Sequence, residues 1–338
     1  FISLLLLMKK ISFPLIVILL VCIILTLIGY NTLITRKDSQ KYQNLQEDYP
    51  TSSTKSSNTQ TLYCIGDSLT LGSHAYPTVL SELTNLSVET FGGSQDQTID
   101  IAIRLGRTKI YAYDITIPAQ TDPVELTLYN EEHEELDVLK NKGSNFSNVK
   151  IAGISGILKY DSEKEVHTFT RDEAGKSVTL DEYTRINADF PTFDKNGIAI
   201  IFTGTYDPYE SGSIFRTITY QRAILNQLGI KKYIVVSLTS KRTFQIVNDM
   251  NSVLEEEHEE HFLNFRDYLL ENGLQDADIT PTKQDQSDLD KGYIPRSLLQ
   301  DNLVDGNTEF HELLAKQLIQ KMKELKYITD DDLTNTQI

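Results

Sequence analysis

Ser68 stands where a short apolar run, Leu62 to Ile65, gives way to Gly66-Asp67-Ser68-Leu69 and then to Thr70, Gly72 and Tyr76-Pro77. A serine hydroxyl becomes a nucleophile when a neighbouring group takes its proton and fixed N–H donors face the oxyanion that forms. A junction between a buried strand and a helix meets the geometric part of that demand. The hydroxyl stands clear of its neighbours there, and the amides at the helix start point at developing negative charge. Gly-Asp-Ser by itself is a common turn; the strand before it and the helix after it make the position a nucleophile's. The groups that could serve Ser68 are spread along the chain. They are Gly93 and Gln95 in Gly92-Gly93-Ser94-Gln95-Asp96-Gln97-Thr98, Tyr206 in Thr203-Gly204-Thr205-Tyr206-Asp207-Pro208, and Asp301, Asp305 and His311 close to the C-terminus.

The elements around these residues alternate. Ala75 to Leu86 has the helical spacing of Val79, Leu80 and Leu83, Leu86 to Phe91 reads as a second strand, and Ile99 to Leu105 as a second amphipathic helix. Ile198 to Phe202 is continuously apolar, as a strand covered on both faces must be, and it delivers the Tyr206 segment. Thr217 to Leu228 then reads as a helix, Lys232 to Leu238 as a buried strand and Phe310 to Met322 as the final helix. Between Thr108 and Ala188 the period changes to two. Lys109 to Ile117, Val124 to Tyr129, Val149 to Leu158 and Val166 to Thr170 predict antiparallel strands, punctuated by Pro118, Pro123, Gly143, Gly153, Gly156 and Gly175. The organisation expected is a membrane anchor over 1–30, a flexible linker over 31–60, an α/β domain over 61–107 and 196–328, and an inserted β-rich domain over 108–195.

Composition bounds the partners. The chain has 338 residues with a net charge of −16, so a nucleic-acid surface, which needs basic patches, is excluded. Ile11 to Gly29 is almost wholly apolar over a length that crosses a hydrocarbon core. Lys9 and Lys10 precede it, which predicts that the leading side stays in the cytoplasm and the main domain lies outside, with the membrane contacted through this N-terminal helix. Asn31 to Gln60 is rich in Ser, Thr, Asn, Gln and Lys and reads as a tether. The two cysteines, Cys22 and Cys64, supply no disulfide framework. His258 and His261, in the acidic run from Glu255, are spaced as a metal pair could be, but they lack a third ligand and fit a solvated helix face better.

Gly66-Asp67-Ser68-Leu69, with Thr70, Gly72 and Tyr76-Pro77, closely resembles the first block of the GDSL or SGNH esterase family, and the resemblance runs from about Gln60 to Ile328. It implies a three-layer α/β/α sandwich with a parallel flavodoxin-like sheet, an acyl-serine on Ser68, and no metal or organic cofactor. It also implies roles. Gly93 and Gln95 fall in the second block, where a glycine N–H faces the oxyanion; counting back from Arg104 puts Gln95 at the glycine's place. Tyr206 replaces the third block's asparagine, whose amide helps the oxyanion. The last block, Asp-x-x-His, loses its histidine. Asp301 leads to Val304 three residues on, alignment on Asn307 puts Asp305 at the histidine's place, and His311 falls inside the helix start as an ordinary surface histidine would. Active relatives remove acyl groups from sugars or cell-envelope polymers, so the expected partner is an acylated carbohydrate or envelope polymer and the expected activity is weak or lost. The alternative is an inactive module binding glycan or a protein partner at the cell surface. An imidazole within reach of Ser68 marks the enzyme; a carboxylate or Val304 there marks the binding module.

Overall fold

A computed structural model describes residues 60–141, 146–209, 213–239 and 244–334. The apolar run and the polar stretch after it lie outside these residues, and with them the expected anchor, linker and Cys22. Among the described residues no helix is long and apolar enough to cross a membrane.

Five strands form a wholly parallel sheet: β1 (Thr61–Gly66), β2 (Ser87–Gly92), β11 (Ile198–Phe202), β12 (Lys232–Val236) and β13 (Phe262–Leu263). Their spatial order, β2-β1-β11-β12-β13, is the flavodoxin-like arrangement expected. Parallel strands need crossovers that lay helices on both faces, so the central strands are apolar throughout. The helices are α1 (Tyr76–Leu83), α2 (Thr98–Arg104), α3 (Ser213–Leu228), α4 (Phe244–His258), α5 (Phe265–Glu271), α6 (Gly273–Asp276), α7 (Lys283–Leu289) and α8 (Thr308–Glu324). Alternate residues of β1 then divide between two layers. Leu62 and Cys64 join Leu80, Phe310 and Leu314 of α1 and α8, whereas Tyr63 and Ile65 join Ala102 and Ile224 of α2 and α3. Cys64 is buried, and that burial pushes its thiol pKa up, which leaves it an inert core residue.

The segment expected to be β-rich forms sheets of its own. β3 (Ile110–Ala112), β5 (Val124–Leu126), β6 (Phe146–Ile151), β7 (Ile154–Asp161), β8 (Val166–Arg171) and β10 (Thr184–Ala188) make a six-stranded sheet, and β4 (Ile115–Ile117) pairs with β9 (Val178–Leu180). Val124 to Tyr129 keeps its strand only as far as Leu126, and two of the expected runs divide. Lys109 to Ile117 is broken at Asp114, whose φ of 53° ends β3 before β4 begins. Val149 to Leu158 is not one strand but a hairpin, because Ala152 and Gly153 take φ of 50° and 79° and fold β7 back on β6. The core of this part includes Ile99 and Ile103 of α2. The same helix therefore packs against the parallel sheet on one side and the antiparallel strands on the other.

Candidate functional site

The parallel order reverses between β1 and β11, and in such sheets the crevice beyond the carboxyl ends of the strands at this point is where ligands bind. Ser68 follows β1 and Tyr206 follows β11. Gly66 is required for the approach: a Cβ there would stand 2.4 Å from the Phe202 carbonyl oxygen and 2.1 Å from Thr70 Oγ1. The chain then makes a single 3₁₀ turn, Ser68–Thr70, and α1 starts only at Tyr76. The helix entry thus falls at Tyr76-Pro77 as expected, with the 3₁₀ turn that starts at Ser68 ahead of it. The Leu69 N–H is also taken, donating to Asp67 Oδ1 at 3.1 Å, so it does not face Ser68 as an oxyanion donor.

Ser68 Oγ donates to Asp305 Oδ1 at 2.7 Å and shares a hydrogen bond with Tyr206 Oη at 3.0 Å. Asp305 is itself held. Asn302 Nδ2 donates to Asp305 Oδ2 at 2.7 Å, and Asn302 Oδ1 accepts from the N–H groups of Val304 and Asp305, both at 3.0 Å. The residues of this turn linked to Ser68 are therefore Asp305 and, through it, Asn302. Asp301 lies exposed in the same turn, outside the site. His311 is not the surface residue expected. It is buried in the first turn of α8 with Nδ1 unpartnered, and burial, only partly offset by Asp305, holds its pKa down at about 4.

The second-block residues separate. The Gly93 N–H donates to the Gly66 carbonyl at 3.1 Å, which removes it from the oxyanion role expected of it. Gln95 takes φ of 60°, the left-handed conformation that glycine would adopt at lower cost, and no described residue accepts from its N–H. Its carbonyl accepts from Asn141 Nδ2, while Asp100 of α2 accepts from the Leu139 N–H at 2.6 Å. The inserted part thus braces the loop that carries Gln95. Asp207 accepts from the Thr98 N–H at 2.7 Å and from Thr217 Oγ1, tying α2 and α3 to the end of β11. Asn302, Asn141 and Asp207 were not singled out from sequence. Only Asn302 carried a local signal, an asparagine three residues before Asp305 and placed to bond the backbone between.

Asp67 is fully buried beneath Ser68, and its carboxyl pKa is pushed up to about 7, first by burial and then by the nearby Asp305 and Asp207. The unfolded chain loses that proton near pH 4 and the folded chain near pH 7. Between these values the fold binds more protons than the unfolded state, so this group's contribution to stability falls as pH rises. His311 and His258, both held down at about 4, work in the opposite sense between about pH 4 and 6.5. Comparison with Asp67→Asn isolates the carboxyl. The variant gains stability relative to wild type on going from pH 4.5 to 8, by on the order of 3 kcal/mol. Urea unfolding at the two pH values measures it, and an unchanged difference would contradict the burial argument.

His258 and His261 are not on the solvated helix face expected: His258 is buried, and both rings are engaged. His258 Nε2 donates to Gln221 Oε1 at 3.1 Å, and His261 Nδ1 lies 2.8 Å from Tyr327 Oη. Among the described residues no cluster of three ligands for a metal ion forms.

No protein-family model and no curated protein matches the chain. Solved structures do. A protein of the G-D-S-L family from Desulfitobacterium hafniense DCB-2 aligns with a TM-score of 0.40 and 13% identity, over 78% of this chain and 99% of its own. The lipase/acylhydrolase from Enterococcus faecalis aligns with a TM-score of 0.39 and 12% identity, over 83% of this chain and 100% of its own.

Proposed function

We propose that the chain is a divergent SGNH-type ester hydrolase whose turnover is weak or lost and whose Ser68 crevice is kept for binding an acylated carbohydrate or envelope polymer. The observation that carries this is the 2.7 Å hydrogen bond from Ser68 to Asp305, a carboxylate where an imidazole would activate the serine. Carboxylates titrate near pH 4 in reference peptides, more than two units below imidazole, and so take a proton from an alcohol poorly. Tyr206 Oη and the Gln95 N–H remain as donors that could face an acyl oxygen. The crevice therefore supports ester recognition better than ester cleavage. Lys9 and Lys10 before the apolar run support a domain outside the membrane, within reach of envelope polymers.

The test compares wild type with Ser68→Ala on p-nitrophenyl acetate and on acetylated glycans. Hydrolysis of both is expected at or near background for both proteins, with acetylated glycan retained by the wild type in a pull-down and deacetylated glycan not. Robust wild-type turnover abolished by Ser68→Ala would overturn the loss of activity. Equal retention of acetylated and deacetylated glycan, or of neither, would overturn the binding role.

A further inference from the structure

We propose that Asp100 is a positioning residue of the Ser68 crevice, a carboxylate that clasps the inserted part to the loop carrying Gln95 and releases it on protonation. One side chain gathers donors from both parts of the fold. Asp100 Oδ1 accepts from the Leu139 N–H at 2.6 Å, while Oδ2 accepts from the Gln97 N–H at 3.0 Å and lies 3.4 Å from Asn141 Nδ2. Asn141 Nδ2 also donates to the Gln95 carbonyl, so the clasp joins two left-handed residues, Leu139 at φ of 53° and Gln95 at 60°. Neither is a glycine, and each needs its surroundings to stay in that conformation. The insert's side is anchored in its own sheet. Leu139 is buried, and His167 Nε2 of β8 donates to the Val138 carbonyl at 2.9 Å.

Only the carboxylate closes this clasp. Both oxygens face N–H donors, and a carboxylic acid turns one of them into an O–H donor that no longer accepts. Asp100 is 1% exposed, and burial pushes its pKa up to about 6, with Asp96 adding to the rise while the Leu139 and Gln97 N–H groups and Arg104 oppose it. The clasp is therefore closed above about pH 6 and opens as pH falls through that value. The other ionisable groups around it are few. Asp96 is paired with Arg104 at 2.7 Å, and Asp207 accepts from the Thr98 N–H at 2.7 Å beside the same helix start. On the insert, burial holds the His167 pKa below its usual value, and Lys140 pairs with Asp137. The effect on ligand binding rests on the function proposed above, in which the Gln95 N–H faces an acyl oxygen.

The full chain, labelled with ¹⁵N at leucine and glutamine and followed by NMR from about pH 8 to about pH 4.5, reads the clasp without any ligand. The Leu139, Gln97 and Gln95 amides should shift together with one midpoint near 6, and that step should vanish in Asp100→Asn. At about pH 7.5, folded Asp100→Asn should bind acetylated glycan about ten-fold more weakly than wild type, the equivalent of one hydrogen bond. A Leu139 midpoint near 4, the ordinary carboxyl value, overturns the clasp, and so does a Gln95 amide that stays still while Leu139 titrates. Both results come from wild type alone, whether or not the variant folds. Folded Asp100→Asn that binds acetylated glycan as wild type does overturns the positioning role. Wild type that binds no acetylated glycan while the three amides titrate together overturns the proposed binding function and supports the clasp.

Discussion

Replacing Asn302 by Asp and Asp305 by His together will raise hydrolysis of p-nitrophenyl acetate by about 10²–10⁴ over the wild type, the factor a positioned general base typically supplies. Asp305 already reaches Ser68 at 2.7 Å and Asn302 already reaches Asp305 at 2.7 Å, so the contacts that a serine-base-orienter relay needs are in place, with a carboxylate and an amide as the two partners. An imidazole at 305 would take the serine's proton, and a carboxylate at 302 would hold the ring and stabilise the imidazolium. The ring is longer than the carboxyl it replaces. The loop can adjust because Asp305 is only half-buried, in a turn tied by the Gln300 N–H to the Asp305 carbonyl at 2.9 Å. Asp305→His alone should gain less, since nothing fixes its tautomer, and adding Ser68→Ala to the pair should return the rate to background. A folded double variant with no gain would mean that the oxyanion donors, rather than the base, are what the site lacks.

Phe310→Ala will cost about 3–5 kcal/mol of stability, the range for removing a fully buried aromatic ring. Phe310 is 0% exposed, meets Phe265 edge-on at 5.1 Å, and lies in the cluster that joins α8 to β1, β11 and β12. It also anchors the site. The Phe310 N–H donates to Asn307 Oδ1 at 3.1 Å, capping α8 two residues after Asp305. A loosened helix start would therefore widen the Ser68–Asp305 contact as well as reduce stability. Urea denaturation measures the cost, and a loss below about 1 kcal/mol would contradict the packing described.

The parallel half of the fold was legible in the sequence because its signals are local. Ile198 to Phe202 is a continuous apolar run and forms β11 with those same bounds; Gly66-Asp67-Ser68 marks the end of β1 in one short segment. Thr217 to Leu228 lost only its first turn, which starts at Ser213. What was missed depends on backbone turns or on long-range partners. A single residue at φ of 53° splits Lys109 to Ile117, and the hairpin inside Val149 to Leu158 turns on Ala152, an unusual residue for φ of 50°. The candidate site was harder still. Ser68 and Asp305 lie 237 residues apart, and neighbouring carboxylates at 301 and 305 offer spacing arguments of equal weight until the loop is seen. Tyr206 read as a lost amide donor, yet its hydroxyl reaches Ser68. That His311 is buried follows from where α8 presents its core face, beside Phe310, and no residue count forward from Asp301 contains that information.

Fluorophosphonate labelling tests the central claim, that Ser68 is held by a carboxylate and not activated, most directly. The reagent reports nucleophilicity at the serine itself and needs no knowledge of the substrate. Wild type should label no faster than Ser68→Ala, while the protein carrying both Asn302→Asp and Asp305→His should label at Ser68 and lose that label when Ser68→Ala is added. Rapid, stoichiometric labelling of wild-type Ser68 would contradict the account and show that the Asp305 carboxylate, or another group acting through it, is a competent base.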